Sequence, residues 1–217
     1  VSLAAETEAS PDRPEERVAA LSAARAPDGA RDAVTGFARA YLRRIQGDGS
    51  DGIPDDDLAA EVVAAFAFAS DRGEEPVAVR AFNPTREEDG YEPLGSVVET
   101  NTDDWPFLVD SVTAEIEARG LAVARLRHPI VGVDRGGGGP IAAIRHPRDA
   151  AHRESVMHFD LDRRLGDAAL DELRGAVHDV LCAVRAVVRD FPRMTERVGQ
   201  MATIARAGGD RYAPDEV

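Results

Sequence analysis

The 217-residue chain contains no lysine; all 26 of its Lys/Arg positions are arginine. That absence excludes Schiff-base chemistry, a P-loop lysine and a lysine general base, because a guanidinium stays protonated and cannot take over those roles. Cysteine is almost absent as well. Cys182 stands alone, so no internal disulfide can form and a reducing, cytoplasmic setting is expected. Basic charge is in deficit, with 40 acidic residues giving a net charge of −14. Phosphate backbones and anionic lipid need a basic stripe, so neither nucleic acid nor membrane is an expected partner. No run of ~18 apolar residues is available to span a bilayer. The first residues also lack the basic-then-apolar order of a signal peptide. Aromatic residues make up only 5% of the chain, yet 43% of it is apolar, enough for one packed domain with a helical appendage.

What is present is patterned. Residues 1–31 are rich in Ala, Glu, Pro and Asp, as in a mobile arm holding one short helix. Val34, Phe37, Ala38, Tyr41, Leu42 and Ile45 then recur at helical spacing. A glycine–aspartate loop, Gly47 to Gly52, ends this stripe. Pro54 and Asp55 to Asp57 open a second helix with Leu58, Val62, Ala65, Phe66 and Ala69 on its buried face. The break at Asp71–Pro76 divides the chain into an arm and helical segment (1–75), a sheet domain (76–192) and a linker or tail (193–217). In the sheet domain, Val77–Phe82 and Ser96–Thr100 read as strands, and Trp105–Gly120 as a helix with Gly120 just past its end. Leu121–Val133 reads as a long strand broken at His128-Pro129. Ile141–Arg145 adds a short strand after the glycine loop. Ser155–Leu161 alternates, with Met157, Phe159 and Leu161 on one face and His158 and Asp160 on the other. A helix from Asp167 to about Arg189 closes the pattern. The expected fold class is α+β: an antiparallel sheet with helices on one face, preceded by an N-terminal helical segment.

The stretch most suggestive of chemistry is Asp103-Asp104-Trp105-Pro106-Phe107-Leu108, a strand-to-helix turn. Asp103 or Asp104 is expected to cap the helix, with Pro106 in its first turn. Such a turn offers free backbone N–H groups to a small anion. Every helix start has these groups, so a capped helix without a ligand is the competing reading. Trp105 is either a plug over the sheet edge or an interface anchor. His146, His152 and His158 lie six apart, and a small metal-dependent hydrolase would have to be built on them. Zinc motifs space their ligands more closely, which favours ordinary surface or hydrogen-bonding histidines, with His152 in a loop. The aspartates around Gly49 fail the spacing of a calcium loop. Gly136 to Gly139 has no Lys-Ser/Thr after it and reads as a hairpin connection. Cys182, beside Leu181, is expected to be buried.

A resemblance sharpens this. Asp104-x-Pro106-x-Leu108 between a strand and a helix resembles the first turn of an ACT domain, a ferredoxin-like regulatory module that commonly binds amino acids between copies. A longer set of matches resembles the N-terminal region of the large bacterial NAD-specific glutamate dehydrogenases. It comprises Phe82-Asn83-Pro84, Val98-Glu99, the run Asp103 to Val112, His128-Pro129-Ile130, Arg153 to His158 and Asp190-Phe191-Pro192. The resemblance implies an ACT-like regulatory and assembly segment with Asp103 to Leu108 as its effector or interface turn. It implies a parent enzyme that uses NAD, with its catalytic lysines and dinucleotide turn elsewhere. This segment would then hold no catalytic residue, cofactor or metal. Its partners would be copies of itself, other domains of the same enzyme and an amino-acid effector; a purely structural subunit-joining module is the alternative. Amino-acid-binding ACT domains usually carry Gly where this chain has Phe107. They also gain a last strand after the second helix, where this chain is polar, so Val77–Phe82 is expected to fill that sheet position. With both domain helices on one face, the other face or the edges are expected to be open and to drive self-association.

Overall fold

In the computed structural model, which describes residues 13–43 and 52–209, the alternating and helical stretches become six strands and five helices. In chain order these are α1 (Pro14–Ala24), α2 (Arg31–Leu42), α3 (Asp55–Asp71), β1 (Val77–Phe82), β2 (Val97–Asp103) and α4 (Leu108–Ala118). There follow β3 (Val123–Arg127), β4 (Ile130–Arg135), β5 (Ile141–Arg145), β6 (His152–Leu161) and α5 (Asp167–Gly209). The first twelve residues, Ile45, the Gly47–Asp51 part of the acidic loop and residues 210–217 lie outside the described residues. No helix among the described residues is long and apolar enough to cross a membrane.

All strand pairings are antiparallel, in the order β1-β2-β6-β4-β5 with β3 also on β6. β3 and β4 are two halves of the strand read at Leu121–Val133. β3 pairs with the C-terminal end of β6 and β4 with its N-terminal end. Proline has no N–H to donate, so the ladder breaks at His128-Pro129; the Pro129 carbonyl still accepts from the Val156 amide at 3.1 Å. β1 takes the expected position, pairing with β2 from Val77↔Thr102 to Phe82↔Val97. Gly95, just before β2, lets the backbones close up, since a Cβ there would lie 1.9 Å from the Leu161 carbonyl oxygen.

β6 shows how period two builds a two-sided layer. Met157, Phe159 and Leu161 pack with Leu108, Val112 and Ile116 of α4 and Leu173, Val177 and Leu181 of α5. On the opposite face Val156, with Val131, Val133 and Ile141, packs under Val34, Phe37, Leu42, Leu58 and Phe66 of α2 and α3. The domain's own helices therefore lie on one face, and the N-terminal helical segment closes the face that the periodicity leaves open. His152 opens β6 rather than sitting in a loop. α5 does not end near Arg189; it runs through Pro192 to Gly209, because one proline removes one backbone hydrogen bond without ending a helix flanked by good formers. Cys182 is exposed, not buried: the buried stripe of α5 passes through Leu181, and the next residue is turned about 100° away.

Candidate functional site

Half of the sheet face beneath α2 and α3 is apolar, and the other half is a buried ionic network. Glu61 of α3, 1% exposed, meets the sheet at its centre. One of its oxygens accepts from Tyr41 Oη at 2.8 Å and Arg127 Nε at 3.2 Å, the other from Arg125 Nη2 at 2.5 Å. A bulge between Val123 and Arg125 leaves Arg125 and Arg127 on this face. Arg125 also binds Asp160, and Arg80 of β1 binds Glu99 of β2 across the strands. His158, fully buried, donates from Nδ1 to Glu99 at 2.8 Å and from Nε2 to Asp160 at 3.3 Å. Burial alone would lower its pKa, but Glu61, Asp160 and Glu99 outweigh that and hold it up at about 10. Asp160 and Glu99 are pushed up by burial and drawn down further by their bonds to His158 and to arginine, so both lie below the ordinary carboxylate range. Every charge that α3 and the sheet bury here is paired, which makes this network a joint between layers.

A second network closes the C-terminus of α3. Arg135 donates to the carbonyls of Ala69 and Ser70 at 2.6 and 2.9 Å and forms a fork with Glu154. Arg72 reaches Asp103 at 2.7 Å and Asn101 at 3.3 Å. The Arg135 guanidinium thus serves two free carbonyls at the negative end of the dipole, while Arg72, the C-cap residue itself, ties the helix end to β2.

The structure separates the six residues of the strand-to-helix turn. Asp103 ends β2 and is held by Arg72. Asp104 anchors its amide on the Arg153 carbonyl at 3.0 Å, with its carboxylate 3.6 Å from the Arg153 guanidinium. Neither aspartate caps α4: the N-cap is Phe107, without a side-chain cap, and Pro106 precedes the helix. Trp105 packs on the α4–α5 core, which favours the plug reading, and Leu108 is buried in that core. Phe107 is 65% exposed and sits in the left-handed region, φ 71°, where glycine is the favoured residue.

Two clefts flank this turn, and their charges decide between them. Asp103 lines one of about 790 Å³, whose three arginines, 72, 135 and 145, face five carboxylates: Glu74, Asp103, Asp134, Asp149 and Glu154. Asp104 lines the other, of about 680 Å³, between the end of α2, the start of α4, the His128-Pro129 kink and the Pro147 turn. There Asp104 is the only carboxylate among the described lining residues, against Arg43, Arg127, Arg148 and Arg153 with His128 and His146. Arg43 and Arg148 have no carboxylate partner among the described residues. In a chain of charge −14 this is a local basic basin, able to take a small carboxylate through arginine forks.

Comparison with known proteins agrees with this architecture. The family described as the glutamate dehydrogenase ACT1 domain matches residues 37–177, about two thirds of the chain. The chain belongs to that family. An NAD-specific glutamate dehydrogenase of Halomonas elongata is 30% identical over 142 residues, 64% of this chain and 9% of that protein. One of Pseudomonas aeruginosa is 29% identical over 180 residues, 81% of this chain and 11% of that protein. The ACT1 chain thus spans about a tenth of the length of these relatives.

No group of three or more His, Cys, Asp or Glu side chains is placed to hold a metal ion among the described residues of this ACT1 chain. His158 is committed to the buried network, and His146 Nδ1 accepts the Arg148 amide at 3.2 Å. Periodicity puts His158 and Asp160 on the polar side of β6, but does not supply their partners. A signal for one of these is there: Glu61 is a lone carboxylate inside the apolar stripe of α3, between Leu58 and Val62. Arg125 and Arg127 alternate with Leu126, a pattern that marks a polar sheet face without revealing that a helix covers it.

Proposed function

We propose that this ACT1 chain is a non-catalytic regulatory and assembly segment of an NAD-dependent glutamate dehydrogenase. The parent reaction is L-glutamate, NAD and water to 2-oxoglutarate, ammonia and NADH. The observation that carries the reading is the arginine-lined cleft beside the β2–α4 turn. Arg43 and Arg148, with Arg153 beside them, fit the carboxylate of an amino acid or a related small acid, and Asp104 supplies an acceptor for an ammonium group. An occupant there would touch α2, α4 and the β3–β4 kink at once, so binding would bias how the helical segment seats on the sheet. NAD belongs to the parent; this segment has neither a lysine nor a dinucleotide-binding glycine turn. Phe107 favours a second reading, a structural module that joins subunits, because its exposed ring stands where amino-acid-binding relatives of the fold usually carry Gly. The basic basin lies on the Asp104 side of that turn, which supports the effector reading over the structural one. Following NADH formation from glutamate tests the non-catalytic part. The purified chain is expected to show no turnover above a contaminant control, and sustained turnover would overturn the reading.

A further inference from the structure

α5 has 43 residues, and only its first half rests on protein. Leu170, Leu173, Val177 and Leu181 are buried, whereas the described side chains beyond Asp190 are all exposed. The apolar stripe nevertheless continues. Val187, Phe191, Met194, Val198 and Met201 follow at alternating steps of four and three, with Ile204 alongside, and these six side chains are 57–71% exposed. The same alternation runs back without a break through Val184, Val180, Val177, Leu173 and Leu170. A helix lying on a globular surface drifts from a seven-residue repeat, while a repeat held this long is the seam of a coiled coil and calls for another helix. Pro192 and Gly199, the two residues least suited to a helix, are seven apart and both lie off that seam.

We propose that the exposed half of α5 pairs with the same helix of a second copy of this chain, antiparallel, as a two-stranded coiled coil. The charges choose this partner and direction. When Phe191 of each copy lies beside Met194 of the other, Asp190 of each faces Arg197 of the other, so one side of the seam is closed by two opposite-charge pairs. A parallel pairing would set Asp190 against Thr195 and Arg197 against Ala202, leaving both charges without a partner. At this register Val187 of each copy meets Val198 of the other, so the exposed halves overlap over residues 187–198, about 17 Å at 1.5 Å per residue. The inference rests on the assembly part of the proposed function and gives it a surface and a partner; the effector cleft plays no part in it.

Sedimentation equilibrium of the full chain over a hundredfold concentration range tests it, using wild type, Met194→Asp, Asp190→Arg, Arg197→Asp and an equimolar mixture of the last two. Wild type is expected to dimerise, with at least tenfold weaker association in Met194→Asp and weaker association in each charge reversal alone. The mixture is expected to recover association, because one copy then carries guanidiniums at both positions and the other carries carboxylates at both, and the antiparallel pair sets each guanidinium against a carboxylate. Circular dichroism should show an unchanged fold, since every substituted side chain is solvent-facing or nearly so. A dimer indifferent to Met194→Asp would overturn this surface and leave the assembly reading standing. A mixture that fails to recover would overturn the antiparallel geometry. A wild-type monomer throughout would overturn both the surface and the assembly reading.

Discussion

Glu61 carries more of the interlayer joint than any other single side chain, since it accepts from Tyr41, Arg125 and Arg127 while buried. A buried ion pair contributes little net stability against an apolar replacement, but removing one partner strands the others without solvent. Glu61→Ala is therefore expected to cost about 3–5 kcal/mol in urea denaturation, and a loss below about 1 kcal/mol would contradict the network. His158 sets the pH response. Its ordinary pKa is 6.5 and its folded value about 10, so between those limits the folded chain holds a proton that the unfolded chain has lost. Its contribution is fully present below about pH 6.5 and is lost as pH rises towards 10. Asp160 and Glu99 act oppositely: their contribution is present above the ordinary carboxylate range and is lost as pH falls below it. Urea midpoints should thus be highest between about pH 5 and 6.5 and decline steadily from pH 7 to 9.5. A flat profile over that interval would mean that the buried imidazole is neutral.

The β2–α4 turn shows what an element demands of one residue. Left-handed backbone costs a bulky L-residue about 1–2 kcal/mol, and glycine's extra freedom in the unfolded chain takes back part of that. Phe107→Gly is expected to raise stability by about 0.5–1 kcal/mol, while Phe107→Ala, which keeps the strain and loses only an exposed ring, should not. Equal effects of the two substitutions would show that the turn is unstrained. This is also where legibility ends. The alternation of Met157, Phe159 and Leu161, the stripe of α3 and the Pro129 break are all readable, because each is a local period interrupted by a local breaker. The Asp103/Asp104 cap is misread because composition alone favours aspartate at a helix start, whereas Arg72 and Arg153 claim both side chains from distant segments. The arginine-lined cleft is unreadable for the same reason: Arg43, Arg127, Arg148 and Arg153 are dispersed over four elements and meet only in the fold. α5 outruns its expected end because the 3–4 alternation outlasts the proline placed to stop it.

At the scale of the whole molecule the chain is a sheet between two helical layers, and that changes where partners can dock. Association through an open sheet face, as the bare domain pattern suggests, is closed off by α1 to α3. Among the described residues, what remains are the outer strands β1, β3 and β5, the exposed half of α5 and the cleft beside Asp104. The last of these carries the central claim, that an acidic ACT1 segment keeps a basic basin for a small effector. Isothermal titration calorimetry of the chain with a panel of amino acids and dicarboxylates tests it most directly, in wild type and in the double variant Arg148→Ala/Arg153→Ala. Saturable binding at one site per chain, weakened at least tenfold in the double variant, is the predicted result. No binding of any panel member at millimolar concentration, or binding indifferent to both arginines, would contradict it.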